Sequence, residues 1–138
     1  MAVDPDFTEH LLDLFSGLGP LRTGRMFSGV AIYADEDAMF AMISASGTVY
    51  MKSDAATEGA FRDAGSEPFW YTRASGTRQV TSLMSLPESA LDDPEEALHW
   101  ARLALGPAQA AAAKKRQEKA RKQARSPARK GAAPGPAS

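Results

Sequence analysis

Between Leu18 and Thr23 the spacing of apolar residues changes period. Upstream, Phe7, Leu11, Leu14, Phe15 and Leu18 recur at helical intervals and share one face of a helix. From Thr23 to Lys52 the period is two, which suits strands with one buried face. A chain that does both so early needs a sheet and helices to cover it, so the class is α+β.

The turn chemistry sets the expected boundaries. Asp4 before Pro5, or Asp6 with Glu9, caps the first helix, and Gly17 to Pro20 ends it. Strands are expected over Arg25–Tyr33, Ala38–Ser44 and Thr48–Lys52, joined by Ala34-Asp35-Glu36-Asp37 and by Ala45-Ser46-Gly47. Ser53 or Asp54 caps a second helix over Ala55–Ala64, which is expected to bury Ala56, Ala60 and Phe61 and to stop at Gly65. Phe69–Arg73 and Arg78–Met84 then form a hairpin around Ala74-Ser75-Gly76-Thr77. Asp93-Pro94-Glu95-Glu96 supplies a cap, a proline at the first helical position and acids in the first turn, so a helix spans Pro94–Leu105. Leu98, Ala101, Leu105 and either Trp100 or Ala97 should face its core. The order is helix, three-strand meander, helix, two-strand hairpin, helix, with about five antiparallel strands covered by helices on one face.

Charge divides the chain in two. Residues 1–113 carry 16 acids and 7 bases, whereas residues 114–138 carry 9 bases and the single acid Glu118. The bases are Lys114, Lys115, Arg116, Lys119, Arg121, Lys122, Arg125, Arg129 and Lys130. After Leu105 no aliphatic or aromatic side chain larger than Ala occurs, proline aside, so this segment is not expected to join the core. Its Ala108–Ala124 portion has good helix formers, while Ser126-Pro127 and the closing Gly and Pro residues break helices. The expected division is a domain over residues 1–106 and a basic tail over residues 107–138, disordered or partly helical, with the boundary at Gly106-Pro107.

Recognisable catalytic chemistry is missing from the residues. The absence of cysteine excludes disulfides, thiolate metal sites, iron–sulfur clusters and a Cys nucleophile. Gly19 to Met26 has the glycine spacing of a phosphate loop, but Arg25 and Met26 stand where Lys and Ser or Thr are needed, and a strand follows instead of a helix. His10 and His99 lie on helices without a second ligand at metal spacing. Asp35, Glu36 and Asp37 lack the pattern of a calcium loop and read as a solvated turn. No Gly-x-Ser-x-Gly elbow occurs. The expectation is a non-enzyme without cofactor or metal. No apolar run is long enough for a membrane span, and the acidic N-terminus is unlike a signal peptide, so the expected location is the cytoplasm.

The basic tail is the one plausible polyanion contact in the sequence. The basic tail can neutralise several phosphates without reading sequence, giving weak nonspecific nucleic-acid binding that falls steeply with salt. The alternative is a solubilising tail that contacts its own acidic domain. The strand aromatics Tyr50, Phe69, Trp70 and Tyr71 offer a second candidate surface, but alternation turns Phe69 and Tyr71 to one face and Trp70 to the other, so at least one set belongs to the core.

Five blocks of residues carry a resemblance. Arg25-Met26-Phe27-Ser28-Gly29-Val30-Ala31-Ile32-Tyr33, Met39-Phe40-Ala41-Met42-Ile43, Tyr50-Met51-Lys52-Ser53-Asp54, Ala64 to Tyr71 and Leu91-Asp92-Asp93-Pro94 occur in the order and spacing of the N-terminal domain of the TfoX/Sxy family, which the chain resembles over residues 6–105. The resemblance implies a fold similar to type III secretion chaperones. Full-length members regulate natural competence, in some bacteria with the cyclic-AMP receptor protein, and carry a C-terminal domain of helix-hairpin-helix-like character. Here a basic segment follows Leu105 instead. Ser28 replaces a Gly usual in the family, restricting a bulge that Gly permits, and Thr81-Ser82-Leu83-Met84 departs from the family's usual strand. The family offers no catalytic residues; its recurrent Arg25, Met26, Phe27, Gly29, Tyr50, Lys52 and Phe69 read as strand packing and turn geometry. The resemblance implies a regulatory or protein-interaction module with an unidentified protein partner; the chaperone-like fold and a small sheet with edges to protect add a homodimer through a sheet edge or helix, the basic tail adds nucleic acid as the alternative contact, and no membrane contact is expected.

Overall fold

The computed structural model describes residues 3–26 and 28–130. Helix α1 (Pro5–Leu14) begins where Asp4 accepts a hydrogen bond from the Asp6 amide at 2.9 Å, so the Asp4-Pro5 pair is the cap. A short 3-10 turn (Ser16–Leu18) leads into six strands: β1 (Leu21–Met26), β2 (Gly29–Ala34), β3 (Ala38–Ile43), β4 (Val49–Lys52), β5 (Pro68–Arg73) and β6 (Gly76–Ser85). Helix α2 (Glu58–Asp63) separates β4 from β5, and α3 (Pro94–Lys130) closes the described chain. The sheet is antiparallel throughout, in the order β1-β2-β3-β4-β6-β5.

The first expected strand, Arg25–Tyr33, is in fact the middle of a hairpin, so the meander has four strands and the sheet six. Met26 pairs with Gly29, and Ser28 between them takes φ 65°. That left-handed conformation reverses the chain, and it is one that an L-residue with a Cβ adopts at a cost. Gly29 is required for a different reason: a methyl group there would collide with the carbonyl oxygen of Ile43 on the strand packed beside it. Phe27 lies outside the described residues.

The two faces of the sheet bury different sets of side chains. Leu11, Phe15, Ile32, Phe40, Ile43, Met51, Met84 and Trp100 join in the main core under the helices. Phe15 meets Phe40 edge to face with centroids 5.3 Å apart, and Phe61 packs on Trp100 at 4.8 Å. On the other face Met42, Phe69 and Leu83 form a second cluster, flanked by the half-buried Met26, Met39, Tyr50 and Val80.

Two expected helices need correction. α2 is shorter than Ala55–Ala64 because Asp54 holds the amides of Ala56 and Thr57, both at 3.0 Å, in a turn ahead of the helix. Phe61 is its buried residue, whereas Ala56 and Ala60 face solvent. α3 does not stop at Leu105: it runs through Gly106-Pro107 to Lys130. Ala97, Ala101, Ala104, Ala108 and Ala112 form one buried stripe at helical spacing across that pair. A proline removes one helical hydrogen bond, but Pro107 is itself buried, and the alanines beyond it lie close enough to the sheet to bury fully. The expectation that residues after Leu105 stay out of the core is therefore overturned at Ala108 and Ala112: small side chains suffice where backbones approach closely.

Candidate functional site

Beyond Ala112 the last helix buries no further residue among those described. Residues 114–124 are exposed, and α-helical spacing of about 100° per residue places Lys114, Lys115, Lys119, Arg121 and Lys122 on one side. Arg125, Arg129 and Lys130 follow on the same helix; their side chains lie outside the described residues. Arg116 points the other way, and it has a partner. Its guanidinium forms an ion pair with Asp37.

Asp37 sits in the turn between β2 and β3, which is unusually shaped. Asp35 and Glu36 take φ 51° and 75°, and the Asp37 amide donates to the Asp35 carbonyl at 2.9 Å. Arg22 braces the turn by donating to the Glu36 carbonyl while its guanidinium lies 4.2 Å from the centre of the Tyr33 ring. Asp35 in turn accepts from Gln109 of α3 at 2.7 Å. The acidic turn, read from sequence as merely solvated, is a clasp that grips the helix at Gln109 and Arg116. The opposite charges of turn and tail were the available signal, but nothing in the sequence paired these residues.

Beside the clasp lies a groove of about 370 Å³, lined by Met26, Tyr33, Asp37, Met39 and Lys52 and, from the helix, by three alanines (Ala108, Ala111, Ala112), Lys114, Lys115 and Glu118. Register puts its sheet wall on the face away from the main core: Tyr33 pairs with Met39, and Lys52 pairs with Leu83 of the second cluster. Lys52 is half-buried, and among the described residues no carboxylate lies within ion-pairing distance of it. Burial pushes its pKa below the usual lysine value, and the charge of Lys115 pushes the same way. Asp54, its neighbour in sequence, is engaged in the turn before α2 instead.

The structure thus brings Met26 and Lys52 to one groove and gathers Met26, Tyr50 and Phe69 in the second cluster, while Arg25 and Gly29 lie apart from both. Arg25 is exposed on edge strand β1. Phe69 is buried, and Tyr50 contacts it edge-on at 5.0 Å. Burial raises the Tyr50 pKa, with Glu67 adding to the shift. The aromatic platform is divided as alternation requires: Phe69 lies inside the second cluster and Trp70 is 55% exposed on the opposite face.

The other sequence candidates have structural positions. Nε2 of His10 lies 2.9 Å from the Leu91 carbonyl, which can only accept, so the ring carries its proton there. His99 is exposed and meets the Trp100 ring edge-on. Among the described residues no group of His, Asp and Glu has the arrangement to hold a metal ion, and no helix is long and apolar enough to cross a membrane. Gly19 to Met26, with phosphate-loop spacing, enters β1 with no helix N-terminus behind it.

The model of the TfoX N-terminal domain family matches residues 13–108, most of the chain. No curated protein matches it. The matched segment takes in the whole sheet and the first part of α3, and it ends ahead of the basic arm. By that match the chain is a member of the TfoX N-terminal domain family.

Proposed function

We propose that the protein is a non-enzymatic regulatory module, in keeping with a family linked to competence, and that its domain holds a basic helix against the phosphate backbone of nucleic acid. The observation that carries this reading is the continuity of α3, whose buried alanine stripe and clasp at Gln109 and Arg116 leave five described bases exposed on one side of a projecting arm. An arm ordered in advance loses less entropy on binding than a flexible tail. Seventeen helical residues from Lys114 to Lys130 extend about 25 Å, enough to follow several phosphates. The rest of the chain is acidic, so binding is confined to the arm.

Fluorescence anisotropy with labelled duplex and single-stranded DNA tests this, comparing the full chain with one ending at Ala113 across a salt series. The full chain should bind with an affinity that falls by a log–log slope of about −0.9 per phosphate contacted on duplex DNA. The shortened chain, which keeps Ala108 and Ala112, should lose that binding. Equal binding by both forms, or none by the full chain at low salt, overturns the reading.

A second reading rests on Trp70, which is 55% exposed on edge strand β5. A large aromatic beside an unpaired strand edge favours contact with another protein surface, here a second copy of the domain. A light-scattering mass of one chain at tens of micromolar removes it.

A further inference from the structure

We propose that the groove between α3 and the second face of the sheet binds an organic anion with an apolar body, its charged group held between Lys52 and Lys115. Three observations combine. The volume of about 370 Å³ lies within the range of about 300–1,000 Å³ typical of small-molecule sites. Met26, Tyr33 and Met39 on one wall and the alanines of α3 on the other give it apolar sides. Lys52 rises into it half-buried from the sheet, with Lys115 on the facing helix, and neither has an ion-pair partner among the described residues.

Burying part of a lysine without a counter-ion is unfavourable, and placing a second cation across from it adds repulsion. An anion bound between them relieves both costs. The two acids of the lining, Asp37 and Glu118, form no ion pair with either lysine. Asp37 is engaged by Arg116. Glu118 lies one helical turn from Lys114, Lys115 and Lys122, so the surrounding stretch of helix has a net positive charge. A purely inorganic anion would satisfy the lysines and leave the methionines and Tyr33 wet; a neutral apolar molecule would cover those and leave the lysines unpaired. A molecule with both parts matches the two lysines together with Met26, Tyr33 and Met39. The groove shares Lys114 and Lys115 with the arm, while Met26, Tyr33, Met39, Lys52 and the alanines of its lining lie outside the arm.

The experiment titrates 8-anilinonaphthalene-1-sulfonate, an aromatic monoanion, into the full native chain and follows its fluorescence. N-phenyl-1-naphthylamine, which lacks the sulfonate, is titrated in parallel. Saturable binding of the anion is expected, with competition by decanoate and none by decanol. Lys52→Met should weaken it roughly tenfold, the scale of losing one charge-assisted hydrogen bond, and Lys52→Arg should restore most of it. Lys115→Gln, on an exposed stretch where folding is not at stake, should weaken it in the same direction. Arg102→Gln, at an exposed base outside the groove, should leave it unchanged. Absence of saturable binding, equal affinity for the uncharged probe, or indifference to both lysine substitutions in chains with native circular dichroism overturns the proposal.

Discussion

Arg116, near the point where the last helix becomes fully exposed, forms an ion pair with Asp37 in the turn between the second and third strands. The residues are 79 apart in sequence, and the pair ties the basic arm to the acidic domain. Their side chains are 59% and 41% exposed, so the pair is a modest contributor to global stability. Asp37→Asn should therefore cost only about 0.2–1 kcal/mol in denaturant unfolding. Its larger effect should be local, as faster amide hydrogen exchange over residues 109–118, measured by mass spectrometry.

The hairpin at Ser28 gives a pair of opposed expectations. Ser28 holds φ 65°, where glycine has no steric penalty, so Ser28→Gly should raise stability by about 0.5–1 kcal/mol after allowing for the more flexible unfolded chain. The neighbouring Gly29→Ala puts a methyl group into the Ile43 carbonyl and should destabilise by about 3 kcal/mol or prevent folding. Thermal and urea melts of the two variants distinguish these outcomes.

The arm's helicity depends on its weakest point. Gly106 is exposed, and a Cβ there meets nothing within 4 Å. Gly106→Ala should stabilise the helix by less than about 1 kcal/mol, because the ring of Pro107 crowds a Cβ on the preceding residue, and should increase ellipticity at 222 nm. If the helix ended at Gly106-Pro107, the substitution would leave the ellipticity unchanged.

Lys52 predicts a pH dependence. Its pKa in the folded chain is lowered, chiefly by burial and then by Lys115. Between that lowered value and the unfolded value near 10.5 the unfolded chain binds more protons, so stability rises with pH across that window. Below that window both states carry the charge, and the folded one carries it at a cost. Lys52→Met should thus be more stable than the parent in denaturant melts at pH 7, with a smaller advantage at pH 10. Tyr50 titrates in the opposite sense, since its raised pKa makes stability fall as pH rises above about 10.

Much of this architecture was legible in the residues because it is written in local chemistry. Asp4-Pro5 and Asp93-Pro94 mark helix starts through groups that lie next to one another in sequence. The alternation of β3 and β4 and the stop at Gly65, which has φ 89°, are local in the same sense. The division between an acidic domain and a basic segment is plain arithmetic on the chain. The turn at Ser28 was not legible, because Phe27-Ser28 is not a characteristic turn dipeptide and the residues on either side alternate as one strand would. Nor was the continuation of α3. Gly106-Pro107 is a strong local stop signal, and it is overridden by the burial of Ala108 and Ala112, which depends on how closely the helix approaches the sheet.

The sequence by itself determined the class, the capped helix starts, the family and the division of charge, since each depends on residue identity and short spacing. Only the tertiary structure decided that Asp35 and Asp37 grip Gln109 and Arg116, and that Lys52 and Lys115 line one groove with Met26, Tyr33 and Met39. Those relationships join residues more than sixty positions apart. They arise from strand register and from the path of one helix, and both are set by how the whole core packs.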